Sequence, residues 1–162
     1  MPIEDRALRD QLLELLRGGS AHANPSAALD DFPVELRGKR PDGVAHSGWQ
    51  QLEHMRFTLH DLLNFCTDSN YLEPKWPDDY WTDSEEPPEP DSWDKTVAAF
   101  KADMKAFEDL VNDPAGNIYA EIPWGQGQTL FREILLVADH NSYHIGQIIM
   151  LRRSLGAWKG AN

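Results

Sequence analysis

The stretch from Thr129 to Leu155 constrains the fold more than any other. Wound at about 100° per residue, Leu130, Ile134, Val137, Ile148, Leu151 and Leu155 form one apolar stripe. Thr129 supplies a capping hydroxyl at one end and Gly156 a stop at the other. A helix this long must bury its stripe against partners of similar length, and three further segments supply them. The first runs over roughly Glu4–Arg17, with Leu8, Leu12, Leu15 and Leu16 on one face and Gly18-Gly19 as its stop. The second begins after Ser47, where Ser47 and Gln50 have capping-box spacing, and continues to about Cys66. The third begins near Asp91 or Ser92 and ends at about Asn112, with Val97, Phe100, Met104, Phe107 and Val111 at helical spacing.

The connections are long. Residues 20–45 are rich in Pro, Gly and Ala, with one short helical turn expected near Ser26–Phe32. Residues 67–90, "TDSNYLEPKWPDDYWTDSEEPPEP", hold five prolines, two tryptophans and many acids. Irregular connections of this length are usually functional or disordered. Trp76, Tyr80 and Trp81 are expected to dock, because aromatic rings gain from burial, and the "EEPPEP" tip is expected to be mobile. Residues 113–128 include "NIYAEIPWG", read as a short extended piece. Long crossovers between four helices give an all-α, four-helix bundle that is not simply up-down-up-down, formed as one domain over residues 1–162.

The formal charge is −12, from 15 Lys plus Arg against 27 Asp plus Glu. Such a surface repels phosphates, which argues against nucleic acid and anionic membranes as partners. No apolar run reaches the roughly 18–20 residues of a membrane span. The opening "MPIEDRALRDQLLELLRGG" reads as an amphipathic helix, so no signal peptide is expected. A lone Cys66 excludes an internal disulfide and fits a reducing compartment, so a cytoplasmic location is expected.

The candidate chemistry lies in "ADHNSYHIGQI", residues 138–148. His140 and His144 are four residues apart, which places both on one helix face with Cβ atoms ~5–6 Å apart. They border the apolar stripe together with Glu133 and Gln147, the arrangement expected of a site between bundle helices. The zinc-protease pattern H-E-x-x-H is excluded, because Asn141 stands where the glutamate base belongs. Carboxylate-bridged di-metal bundles use Glu-x-x-His, but Val137, Asn141, Gln51 and Phe57 precede the relevant histidines by three. A mononuclear catalytic site takes three protein ligands. The second helix offers His54 and His60, which lie about 120° apart around its axis, and periodicity does not choose between them. The stripe Leu52, Met55, Leu59, Leu62, Leu63 and Cys66 leaves both off-centre, while His54 shares a second face with Phe57 and Phe65. A bundle helix touches two neighbours, so that face is expected against another helix. His22 and His46 read as loop histidines, and Cys66 as core.

The segments "HSGWQQLEHMRFTLHDLLNFC" (46–66) and "GQTLFREILLVADHNSYHIGQIIMLRRSLGAW" (127–158) resemble the DinB/YfiT-like superfamily. Trp49 and His54 match its W-x-x-x-x-H pattern, and His140 and His144, followed by Gly146-Gln147, match its HxxxH. The resemblance implies a four-helix bundle with a crossover. It also implies a divalent metal, Zn or Ni, held by His54, His140 and His144, and so prefers His54 to His60. Characterised members include metal-dependent thiol S-transferases and an isomerase that use low-molecular-weight thiols. By analogy the chain is expected to act on a small electrophile, as a transferase or hydrolase, with Gln147 or Tyr143 contacting substrate or supporting the ligands. The other class the resemblance leaves open is a non-enzymatic, stress-associated metal-binding protein. A homodimer is expected in either case.

Overall fold

The computed structural model describes residues 3–159. Its helices are α1 (Ile3–Arg17), α2 (Pro25–Leu29), α3 (Gly48–Thr67), α4 (Ser92–Asn112) and α5 (Leu130–Ser154), with a 3-10 turn at Val34–Leu36. The caps foreseen from sequence form. Ser47 Oγ accepts from the Gln50 amide while the Gln50 side chain accepts from the Ser47 amide. Thr129 caps α5 through the Arg132 amide. Gly18, Gly19 and Gly156 turn the chain at positive φ, where a Cβ would be strained. The piece "NIYAEIPWG" forms a single antiparallel bridge, Glu121 with Thr129, rather than a strand.

The four long helices pack in the cyclic order α1, α4, α3, α5. Consecutive long helices α1 and α3, and likewise α4 and α5, therefore lie across diagonals, which is why their connections must be long. The relative directions follow from side-chain pairs. Glu53 bonds Thr96 and His60 bonds Asp103, so indices rise together and α3 runs parallel to α4. Gln51 bonds Gln147 and His54 meets His140, so α3 runs antiparallel to α5. Two parallel neighbours cannot be joined by a tight turn. Residues 68–91 must return the full length of α3, ~30 Å at 1.5 Å per residue, before α4 can begin.

The return path explains the aromatic segment. Tyr71 donates to Asp61, the Thr82 carbonyl accepts from Gln50, and the Glu85 carbonyl accepts from Ser47 Oγ at 2.6 Å, so the segment tracks α3 backwards. Phe57 meets Tyr80 at 5.1 Å and Phe65 meets Tyr71 at 5.2 Å. The second face of α3, expected against a helix, is shared: His54 meets His140 of α5, while Phe57 and Phe65 are covered by this segment. The acidic tip, expected to be mobile, is tied down through Glu85, which also pairs with Arg40. Tyr80 and Trp81 dock as expected, but Trp76 stays 66 % exposed.

The core between the helices is apolar and includes Leu12, Leu52, Met55, Phe107, Ile134 and Ile148. Two buried arginines fasten its ends. Arg9 donates to the carbonyls of Val111, Asp113 and Gly116, satisfying the C-terminal end of α4 with a cation where the helix dipole favours one. Arg152 donates to the Ala28 carbonyl and the Asp31 carboxylate, fixing α2 against α5.

Candidate metal centre

His140 and His144 project from consecutive turns of α5 toward α3, where His54 stands opposite. One ring nitrogen from each of the three lies within 4.8 Å of the other two. His54 Nε2 and His140 Nε2 are 3.1 Å apart. Two nitrogens bound tetrahedrally to one zinc ion, at ~2.0–2.1 Å each, lie roughly 3.3 Å apart. The spacing therefore matches a shared cation. His54 is 3 % and His144 5 % exposed.

The partners of the other ring nitrogens fix two tautomers. A carbonyl oxygen only accepts, so His54 Nδ1–H donates to the Tyr80 carbonyl at 2.9 Å and leaves the Nε2 lone pair facing the cluster. His144 Nδ1–H donates to Gln51 Oε1 at 2.7 Å, and Gln51 Nε2 donates to Gln147 Oε1 at 2.7 Å. Hydrogen bonds of this kind orient metal-binding imidazoles and raise their basicity. Burial, followed by the charge of the neighbouring imidazoles, pulls the pKa of His140 down to about 4 and of His144 to about 3. Burial lowers that of His54 as well, against the opposing bond to Tyr80. All three are thus neutral near pH 7, the form in which histidine ligates. By spacing, tautomer and protonation, the donor set fits a divalent ion.

Trp81 covers one side. Its ring stacks on His54 at 3.9 Å and 2°, and on His46 at 3.8 Å and 14°. Two parallel rings cannot both sit that close to one centroid on the same face, so the imidazoles occupy opposite faces of the indole. His46, read from sequence as a bystander, thus supports the cover. His60 is outside the cluster, where its Nδ1 pairs with Asp103 at 3.0 Å. His22 lies on the surface beside Ser142. Tyr143 meets the His144 ring edge-on at 5.0 Å and is 64 % exposed. Gln147 reaches His144 only through Gln51. Gln51 counts in the sequence only as the non-acidic residue three before His54, yet that same spacing puts it on the face of His54, where its side chain accepts from His144. Tyr80 and Trp81 gave no local signal of their part, because their position depends on the return path of an irregular segment. Cys66 is half-buried, and burial, then the Glu133 carboxylate, pushes its thiol up to about 12.

The sequence model of the DinB superfamily matches residues 20–148, a span that includes all three histidines and the 67–90 segment. No curated protein matches the chain, and no solved structure does. Among the described residues no helix is long and apolar enough to cross a membrane.

Proposed function

The chain belongs to the DinB superfamily, and from that premise we propose that His54, His140 and His144 hold one divalent metal ion, zinc or nickel, which serves the transfer of a low-molecular-weight thiol, or of water, to a small electrophile. The observation that carries this reading is the convergence of three neutral imidazoles with no carboxylate among them. An ion held by three neutral ligands keeps its full charge and lowers the pKa of a thiol or water that joins it.

The chain's own groups support that use. The Tyr80 carbonyl and the Gln51–Gln147 pair hold His54 and His144 in the ligating tautomer. Trp81 shields His54 from solvent on one face. Gln147 Oε1 is taken by Gln51, while its amide N–H groups have no partner among the described residues, and these are the donors assigned to substrate. Tyr143, exposed beside His144, is assigned to the mouth of the site.

A second reading, a metal-binding protein without turnover, is favoured by one feature: no carboxylate belongs to the cluster to act as general base. Turnover separates the two. Protein loaded with zinc or nickel is mixed with cysteine and an activated aryl halide, and thioether formation is followed. The transferase reading expects saturable turnover that a chelator abolishes and metal restores. Rates equal to the uncatalysed reaction, in protein shown to carry metal, favour the second reading.

A further inference from the structure

Two turns from the histidines, the same α3–α5 interface holds a different kind of cavity. Asp61 follows His54 by seven residues and Glu133 precedes His140 by seven, so the two places are ~10 Å apart along the helices. The cavity is about 460 Å³ and is lined by Asp61, Glu73, Glu133, Phe65, Tyr71 and Trp124, among others. Three acidic residues line it against one arginine, Arg132.

The carboxylates differ in what they have left to offer. Asp61 accepts from the Tyr71 hydroxyl at 2.9 Å and the Tyr80 hydroxyl at 2.7 Å, so each of its oxygens already has one partner. Glu133 is 0 % exposed. Its Oε1 accepts from Arg132 at 2.6 Å, but its Oε2 is buried with no hydrogen-bond partner among the described residues. A buried, unpartnered carboxylate oxygen is costly and calls for a donor. Its place in the first turn of α5 eases the charge without supplying that donor. The aromatic wall is fixed in place: Trp124 Nε1 donates to the Phe65 carbonyl at 2.8 Å, and Phe65 packs on Tyr71.

From these features we propose that this cavity binds a protonated organic amine, with Glu133 as its charge partner and the aromatic rings around its body. A hard metal ion fits poorly. Calcium needs six to eight oxygens, more than three acids that do not cluster can bring to one point. The three acids do not converge as metal donors, whereas the three histidines do. An ammonium carries its own donors for Glu133 Oε2, and aromatic faces attract cations. The cavity volume is within the usual range for small-molecule sites. This site does not depend on the metal reading, and either can fail alone.

The test titrates benzylamine, n-hexylamine and 1,4-diaminobutane into the metal-loaded full chain by calorimetry in 0.15 M salt, with benzyl alcohol as the uncharged counterpart. The expected result is saturable binding of at least one amine and none of the alcohol. Glu133→Gln, which keeps the shape, should weaken amine binding about tenfold or more, as loss of a hydrogen bond to a charged group does. Trp124→Leu, at a partly exposed wall, should weaken it about two- to fivefold and gives a readout should the first variant not fold. Binding should survive removal of the metal. The proposal is overturned if none of the amines binds. It is also overturned if binding persists undiminished in whichever of the two variants folds, or if it vanishes with the metal, which would place the amine on the histidines.

Discussion

The two faces of α3 differ in what packs against them. One face, with Leu52, Met55 and Leu59, is buried by α4 and α5 in apolar contact. The other, with Gln51, His54, Phe57, Asp61 and Phe65, meets polar groups of α5 and the aromatics of the returning segment. The first face holds the bundle together through apolar burial, which any well-packed partner could supply. The second places imidazole, amide and carboxylate groups in low-polarity surroundings, where each needs a specific partner. Stability should therefore be concentrated on one side and ligand chemistry on the other.

Substitutions can break that division. On the aliphatic face, Leu52→Ala should cost about 2–5 kcal/mol of stability in denaturant unfolding, because a fully buried side chain leaves a cavity. The protein that remains folded should still take up metal. Loss of metal with little loss of stability would reverse the assignment.

Cys66 belongs to the same apolar side. With its pKa at about 12, it stays protonated at pH 8. Alkylation by iodoacetamide in the folded protein should be slower than that of a free thiol by on the order of a hundredfold or more, since only the thiolate reacts. Rapid alkylation would make Cys66 a reactive group and not a core residue.

On the polar face, Gln51→Leu should lower metal affinity about 10- to 100-fold, the usual cost of removing an orienting partner. The variant leaves His144 Nδ1–H without its acceptor, so the effect should appear in metal competition with a chelator. An unchanged affinity would mean that His144 needs no orienting bond.

The histidine cluster also predicts a pH dependence in metal-free protein. Imidazoles of the unfolded chain titrate near 6.5, while His140 and His144 in the folded protein do so at about 4 and about 3. Between those values the unfolded state binds more protons, so stability falls as the pH drops. It is complete above about 6.5 and declines until the folded imidazoles themselves protonate. Denaturation midpoints at pH 7.5 and 5 check the sign, and a higher midpoint at pH 5 would contradict it. The smallest effect is expected at Trp76, which is large but 66 % exposed. Trp76→Ala should change stability by only about 0.5 kcal/mol or less.

The same division explains what could be read from the sequence. Periodicity marked the apolar stripes, the capping residues marked helix starts, and the HxxxH pair with Glu133 and Gln147 along its edge lay on one turn-by-turn line. These features are local, set by neighbours three and four residues away. The choice of His54 over His60 was not local, since both lay off the stripe, and it needed the resemblance to be made. The cover formed by Trp81 and His46 was not legible, because it depends on how a proline-rich segment returns along α3. The free oxygen of Glu133 was equally hidden, since a helix wheel places a residue on an edge without saying which partner it lacks.

The most direct test of the central claim is elemental analysis of protein purified without a histidine tag, for the wild type and for His54→Ala, His144→Ala and His60→Ala. One divalent ion per chain is expected in the wild type and in His60→Ala, and its loss from His54→Ala and His144→Ala with the helical spectrum retained. Wild-type protein that stays metal-free after incubation with zinc or nickel, or full occupancy in His54→Ala, would contradict it.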